Sequence, residues 1–437
     1  MQQRQARPRL LQAMLDAFSL PDLRRRILIT LGILVVFRFV AHVPLPGVDL
    51  KALEQLFSQN QLLGMLDLFS GGAMRLMSVA AMGVYPYITS SIVMTLLVPV
   101  IPRLQALSQE GEAGRNKINQ ITHWLTVPLA ALSSYGQLVY LQRQTPPVIT
   151  SLAPLPTATM VLAMVAGTVF LVWLGELITE YGIGNGISII IFAGIVAGLP
   201  DMVSRGLLAR SNLGGLAFYI ILALATVIFI VVLTEAHRRI PVQYARSVFR
   251  GGRMYRQAGT THIPLRVNTA GMIPLIFAMS IVIFPGIVAS YFSNPTDPNL
   301  ANSIMGLFNP NAPLPLGLFY WGLYFLLVIA FAFFYTIVVF QQQDLPGVLQ
   351  RQGGFVPGIR PGKHTADYLN HVINRITWAG AIFLAIVAIM PFVGREITSV
   401  DLQLSSMGLL IMIGVILDTM KQMEAQLVMR RYEGFIK

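Results

Sequence analysis

The sequence predicts an all-α polytopic membrane protein of ten transmembrane helices, with one shorter half-helix set among them. Three observations predict it. Hydrophobic residues fill 55% of the 437 positions and charged residues only 11%, about half the charged share of an ordinary globular domain. Apolar stretches of spanning length recur along the whole chain, each near the roughly 20 residues that a bilayer crossing needs. One apolar run, 62–101, is too long for a single crossing; as a straight helix it would measure about 60 Å, roughly twice the hydrocarbon thickness.

Residues 1–23 precede the first crossing and are basic. Leu10, Leu11, Met14, Leu15 and Phe18 fall on one helical face, and no small-residue cleavage site follows. This predicts an amphipathic helix on the cytoplasmic membrane surface. A cleaved organelle-targeting peptide is the alternative, and Asp16 and Asp22 argue against it. The first span is 27–45. The long run then breaks at Ser70-Gly71-Gly72, with Arg75 just beyond. Its first piece, 62–69, is too short to cross, and a half-helix at membrane depth survives only where protein or a water-filled cavity satisfies its backbone. A cavity is therefore implied. The second span is 76–101, followed by 120–141, 157–177 and 186–204. Near Ser211 a second set of five begins, with spans 214–236, 270–291, 316–340, 373–393 and 402–425. The predicted organisation is thus 1–23, a first half 24–210 that includes the short segment 62–72, a second half 211–425, and a tail 426–437.

An even number of spans puts both termini on one side. Arg24-Arg25-Arg26, Arg103, Arg115 and Lys117, and Arg430-Arg431 mark that side as cytoplasmic, as do the loops 237–268 and 341–372. Those loops carry Arg238, Arg239, Arg246, Arg250, Arg253, Arg256 and Arg266 in the first, and Arg351, Arg360 and Lys363 in the second. The opposite-side segment 291–315 has no Lys or Arg. A net charge of +12 would suggest nucleic acid in a soluble protein; here the loop asymmetry accounts for part of it.

The spans hold few ionisable groups. Glu176, Glu180, Glu235, His237, Asp418 and Lys421 sit at span ends. Arg38 is the exception and is expected to snorkel toward the outer surface, a functional role being the other reading. The absence of a central carboxylate weakens ion coupling. The six histidines lack metal-ligand spacing, and no nucleophile–base constellation appears. There is no cysteine, which excludes disulfides and thiolate metal sites. Gly182, Gly184 and Gly186 resemble a dinucleotide loop but join two spans, and the third required glycine position holds Ile187. The residues imply no cofactor, no metal and no enzyme. What the interior does hold is aliphatic: Val84 and Ile88 share a helical face, and Ile187 and Ile191 repeat that spacing. Ordinary helix packing or lipid contact is one reading. A hydrophobic constriction that gates a pore is the other.

The stretches SGGAMRLMSVAAMGVYPYITSSI (70–92), EGEAGRNKINQITHWLT (110–126), GELITEYGIGNGISIIIFAGIVAGLP (175–200) and GGFVPGIRPGKHTADYL (353–369) resemble the SecY family, the central subunits of the bacterial protein-conducting channel. HRRIPVQYARSV (237–248) and THIPLRVNTAGMIPLIFA (261–278) fit it too, and the match runs over essentially the whole chain. The resemblance implies two pseudo-symmetric five-helix halves around an hourglass pore. It implies a ring of aliphatic residues at Val84, Ile88, Ile187, Ile191, Ile276 and Ile411. It makes the half-helix a plug, with Leu62, Leu63, Leu66, Asp67 and Phe69 hinged at Gly71 and Gly72. A lateral gate between spans 2–3 and 7–8 is implied, with Asn268 its polar residue and Thr89 a weaker candidate; helix capping is the other reading of Asn268. Arg238, Arg239, Arg246, Arg250 and above all Arg360 match the docking loops for ribosome and motor, a topology signal being the other reading for most of them. The implied function is a passive gated channel for unfolded preproteins, with lateral release of transmembrane segments into membrane lipid. The implied partners are SecE, SecG, the SecA motor ATPase, the ribosome and signal sequences. The rival class, a secondary transporter for a lipid-linked or small solute, predicts charged midplane side chains and a coupling-ion site.

Overall fold

The computed structural model describes residues 20–59, 67, 70–142, 147–149, 153–208, 213–250, 253–268, 271, 273–292, 299–309, 312, 315–343, 345–360, 362–398 and 406–433. The sequence reading of residues 1–19 and of Leu62, Leu63, Leu66 and Phe69 lies outside them. The architecture is helical apart from one small sheet.

Helix α1 (Pro21–Val40) opens the chain, with proline in its first turn, where the missing N–H costs nothing. A short amphipathic helix follows, α2 (Leu50–Gln59), which the hydropathy reading passed over. It covers a buried cluster of Leu53, Phe57, Met74, Met77, Ala81, Leu138, Leu141, Ile149 and Met164 at one end of the first half. The second span begins later than its hydropathy indicates. Residues 71–84 form consecutive turns, and the helix α3 runs only over Tyr85–Leu97. Most apolar residues of 73–84 are buried because the chain passes through protein there, and its backbone groups bond locally and to the neighbouring strand-like segment 43–45. Tyr85-Pro86 at the helix start is the signal that hydropathy alone overrides. Beyond Leu97 the chain turns through 99° into α4 (Pro102–Gln109).

The remaining helices of the first half are α5 (Glu112–Gln142), α6 (Pro154–Tyr181) and α7 (Gly186–Leu208). The second half comprises α8 (Leu213–Glu235), α9 (Ile273–Phe292), α10 (Leu300–Leu307), α11 (Leu316–Gln343), α12 (Leu345–Arg351), α13 (Lys363–Thr398) and α14 (Ser406–Glu433). Packing runs α3 on α5, α5 on α6, and α6 on α7, with α1 against α6 and α7. In the second half α11 packs between α9 and α13, while α8 contacts α13 and α14. These groups meet where α9 packs against α3 and α5 and where α14 packs against α7.

The first basic loop is a β-hairpin. Strand β1 (His237–Arg250) pairs antiparallel with β2 (Arg253–Arg266) from His237↔Arg266 to Arg250↔Arg253. The two-residue Gly251-Gly252 connection and the alternation Ile240, Val242, Tyr244 are the sequence signals for it. A third strand, β3 (Gly354–Phe355), lies on the other edge of β1, with Gln243↔Phe355 and Tyr244↔Gly354 paired. The two basic loops therefore form one unit, whose own core holds Ile240, Val242, Leu265, Leu349, Val356, Leu369, Val372 and Ile373.

Among the described residues, three helices are long and apolar enough to cross a membrane: Pro154–Tyr181, Leu316–Arg351 and Lys363–Met390. The bent pair Tyr85–Leu97 and Pro102–Gln109 makes a fourth if taken as one broken span, and Gly186–Gly198, Ala223–Glu235 and Ile273–Gly286 are shorter apolar helices. The chain is a multi-pass membrane protein.

Candidate functional site

The six aliphatic positions come from both halves of the chain. Val84 is the residue before α3, and its carbonyl accepts from the Ile88 N–H at 3.0 Å, so the two stand one helical turn apart. Ile187 and Ile191 lie in the first turns of α7, Ile276 in the first turn of α9, and Ile411 near the start of α14. Val84, Ile88, Ile191, Ile276 and Ile411 are members of one buried cluster, and the half-buried Ile187 packs against it. Ile187 also fills the notch at Gly175 on α6, where an added methyl would meet its Cγ1 at 2.8 Å. Both halves of the chain thus contribute to one apolar centre.

The segment before α3 adds Ala73 and Ala80 to the same cluster. Asp67 is buried, and its carboxylate takes three partners: the Ser70 hydroxyl donates to Oδ1 at 3.0 Å, the Met74 N–H donates to it at 3.2 Å, and Arg75 Nε pairs with Oδ2 at 2.9 Å. The Ser70 oxygen in turn accepts from the Met74 N–H at 3.0 Å. The Arg75 guanidinium lies 5.9 Å above the Phe57 ring of α2. Gly71 adopts φ +69°, a region that strongly favours glycine. Its carbonyl accepts from Arg38 Nη1 at 2.8 Å. Arg38 therefore reaches inward to the backbone of this segment and does not snorkel outward. Snorkelling loses because a carbonyl within reach inside the protein pairs the guanidinium without stretching the side chain to the interface.

Asn268 is buried, five residues before α9 begins, so it does not cap that helix. Its Oδ1 finds no hydrogen-bond partner among the described residues. The backbone at Val267 and Asn268 lies against Gly380 on α13, where an added methyl would stand 2.5 Å from the Val267 carbonyl oxygen. Thr89 on α3 donates its hydroxyl to the Tyr85 carbonyl of its own helix at 3.1 Å. Contact between the two halves near these residues comes from α9 packing on α3 and α5.

Among the basic positions, Arg238, Arg239 and Arg360 are exposed. Arg239 Nε donates to His237 Nε2 at 3.2 Å. Arg246 and Arg250 are placed by backbone register, opposite Gln257 and Arg253. The Arg360 turn is anchored on both sides: the Thr365 hydroxyl donates to the Arg360 carbonyl at 2.9 Å, and the Ile359 N–H to Val356 at 3.1 Å. Sequence reasoning missed Phe37 and Gly194, which flank Gly71. The available signal was a glycine inside the α7 helix, which costs stability there unless close packing requires it.

The family whose profile matches residues 78–420 is described as SecY. The chain is 40% identical over 435 residues to the protein translocase subunit SecY of Thermotoga maritima, covering 98% of each. It is 41% identical over 434 residues to the same subunit of Halalkalibacterium halodurans, covering 97% of this chain and 99% of that one. Among solved structures it resembles, at TM-score 0.67 and 15% identity, a SecY whose plug domain is described as stabilising the closed state of the translocation channel and maintaining a membrane seal; the match covers 93% of this chain and 92% of that one. It also resembles Sec61 in the canine ribosome–channel complex, at TM-score 0.63 and 15% identity with 93% of each chain covered.

Proposed function

The chain belongs to the SecY family, and from that membership we infer that it forms the polypeptide-conducting channel of a membrane protein translocase. It passes unfolded preproteins across the plasma membrane and releases transmembrane segments sideways into lipid. No bond is made or broken, so the chain is not an enzyme. The single observation that carries this reading is that all six aliphatic positions, drawn from both halves, belong to or pack against one buried cluster that also holds Phe37 and Ala73, the neighbours of Arg38 and Gly72. Aliphatic side chains suit the task because the substrate's side chains vary and must slide without sticking.

In the resting state the ring and the segment around 62–72 seal the pore; a signal sequence parts α9 from α3 and α5, and the plug leaves. Thr89 and Asn268 tune that seam. The basic unit faces the cytoplasm together with both termini, and Arg238, Arg239, Arg246, Arg250 and Arg360 meet the ribosome and the SecA motor. SecE and SecG complete the complex. A secondary transporter is the less favoured class, since related chains are protein translocase subunits.

Because the chain has no cysteine of its own, single cysteines test the pore directly. Placed at Ile88, Ile191 or Ile411, a cysteine is expected to crosslink to a stalled preprotein, whereas one at the exposed Leu162 of α6 stays unreacted. Crosslinking from Leu162 and none from the ring overturns the assignment.

A further inference from the structure

We propose that Arg38 of α1 and Gly194 of α7 form a two-sided clamp on Gly71 that holds the plug segment shut. The proposal rests on the channel reading above and adds what grips the hinge. On one side Arg38 Nη1 donates to the Gly71 carbonyl at 2.8 Å, and the neighbouring Phe37 ring stands 2.8 Å from where a Gly71 side chain would begin. On the other side the Gly194 Cα stands 2.9 Å from that same point, and a methyl added at Gly194 would run into the Gly71 Cα. Gly71 and Gly194 thus meet backbone to backbone, with no side chain on either to act as a spacer.

The gripped residue is tied to Asp67 through hydrogen bonds among the described residues. Asp67 gathers Ser70, Met74 and Arg75 around its carboxylate, and the Gly72 N–H donates to the Asp67 carbonyl at 3.2 Å. Gly71 therefore cannot swivel freely while Asp67, Ser70, Met74 and Arg75 stay bonded to one another, and release of the clamp frees these residues together. A guanidinium inside a membrane protein requires a partner, and among the described residues the Gly71 carbonyl is the one Arg38 has. Every plug displacement must break that bond, so Arg38 sets how readily the resting channel opens. Arg38 is a positioning residue in this scheme, acting on the substrate path through the plug.

The experiment uses the full translocase complex in vesicles, with Ala73→Cys as a reporter. Ala73 is buried in the closed arrangement, so a membrane-impermeant maleimide labels it slowly. Arg38→Met is expected to raise the labelling rate and the resting anion leak about tenfold, the scale of one lost charge-assisted hydrogen bond. Arg38→Lys, which keeps a cationic donor, is expected to restore most of the difference. Gly194→Ala is expected to raise both readouts by wedging Gly71 off α7. Labelling and leak unchanged in both Arg38→Met and Gly194→Ala overturn the clamp, and so does an Arg38→Lys variant as leaky as Arg38→Met. The channel reading is scored separately, on preprotein export by the complex with native Arg38 and Gly194. Export there with silent clamp variants sinks the clamp alone; no export sinks the channel reading.

Discussion

Arg360 is exposed at the tip of a turn whose backbone is tied down by Thr365 and Val356. An anchored backbone removes part of the ordering cost that a docking side chain otherwise bears. Arg360→Glu is expected to abolish motor-driven export while leaving assembly intact, because losing one partner of a desolvated charge pair costs roughly 2–5 kcal/mol. Motor ATPase stimulation and export in reconstituted vesicles measure it; values equal to those of the unmodified protein would return Arg360 to a topology signal. Asn268 has a sign that its sequence position does not reveal. Its buried Oδ1 lacks a partner among the described residues, and on that arrangement the closed state carries the desolvation penalty of that oxygen, about 1–3 kcal/mol. Asn268→Leu removes the penalty and is expected to stabilise the closed seam, so that preproteins with weak signals are rejected several-fold more strongly than those with strong ones. Equal acceptance of both classes would refute this. The shared face of Val84 and Ile88 was legible at this scale, since i, i+4 spacing survives even though Val84 stands outside the helix proper. Arg38 was not: hydropathy places a charge by depth, and only the fold shows a carbonyl waiting for it.

Among the elements, the second span shows how hydropathy and secondary structure part company. Residues 73–84 are as apolar as a helix in lipid, yet they run as turns through the protein interior, where Ser78 and the 43–45 segment satisfy their backbone. Apolar character reports burial and leaves the partner open. Pro86 carried the correct boundary, since proline sits comfortably only in a helix's first turn. The hairpin was legible in principle from Gly251-Gly252 between two alternating runs, but a high density of arginine reads as loop. Deleting 62–69 is expected to leave membrane insertion and export largely intact while raising resting leak and relaxing the demand for a good signal sequence. Loss of the protein from the membrane would instead make this segment a structural element.

For the molecule as a whole, the two halves touch where α14 meets α7 and where α9 meets α3 and α5. The unit built from both basic loops is continuous with the second half through β3 and α13. Gly354→Val tests that unity, since a side chain there collides with the Tyr244 ring, 2.8 Å from the added methyl. It is expected to lift β3 from β1, increase protease cleavage of the hairpin, and weaken motor binding more than ribosome-independent membrane assembly. An unchanged cleavage pattern would mean the two loops act separately.

Lys363–Met390 is one uninterrupted helix without proline, buried at its first turns in the basic unit and farther on among the spans. Such a rod is a lever arm. At 1.5 Å per residue it is roughly 42 Å long, so a tilt of only about 5° imposed at its docked end sweeps the far end through roughly 4 Å. Because Gly380 on this rod abuts the backbone at Val267 and Asn268, a load applied at the basic unit is expected to reach that backbone as torque.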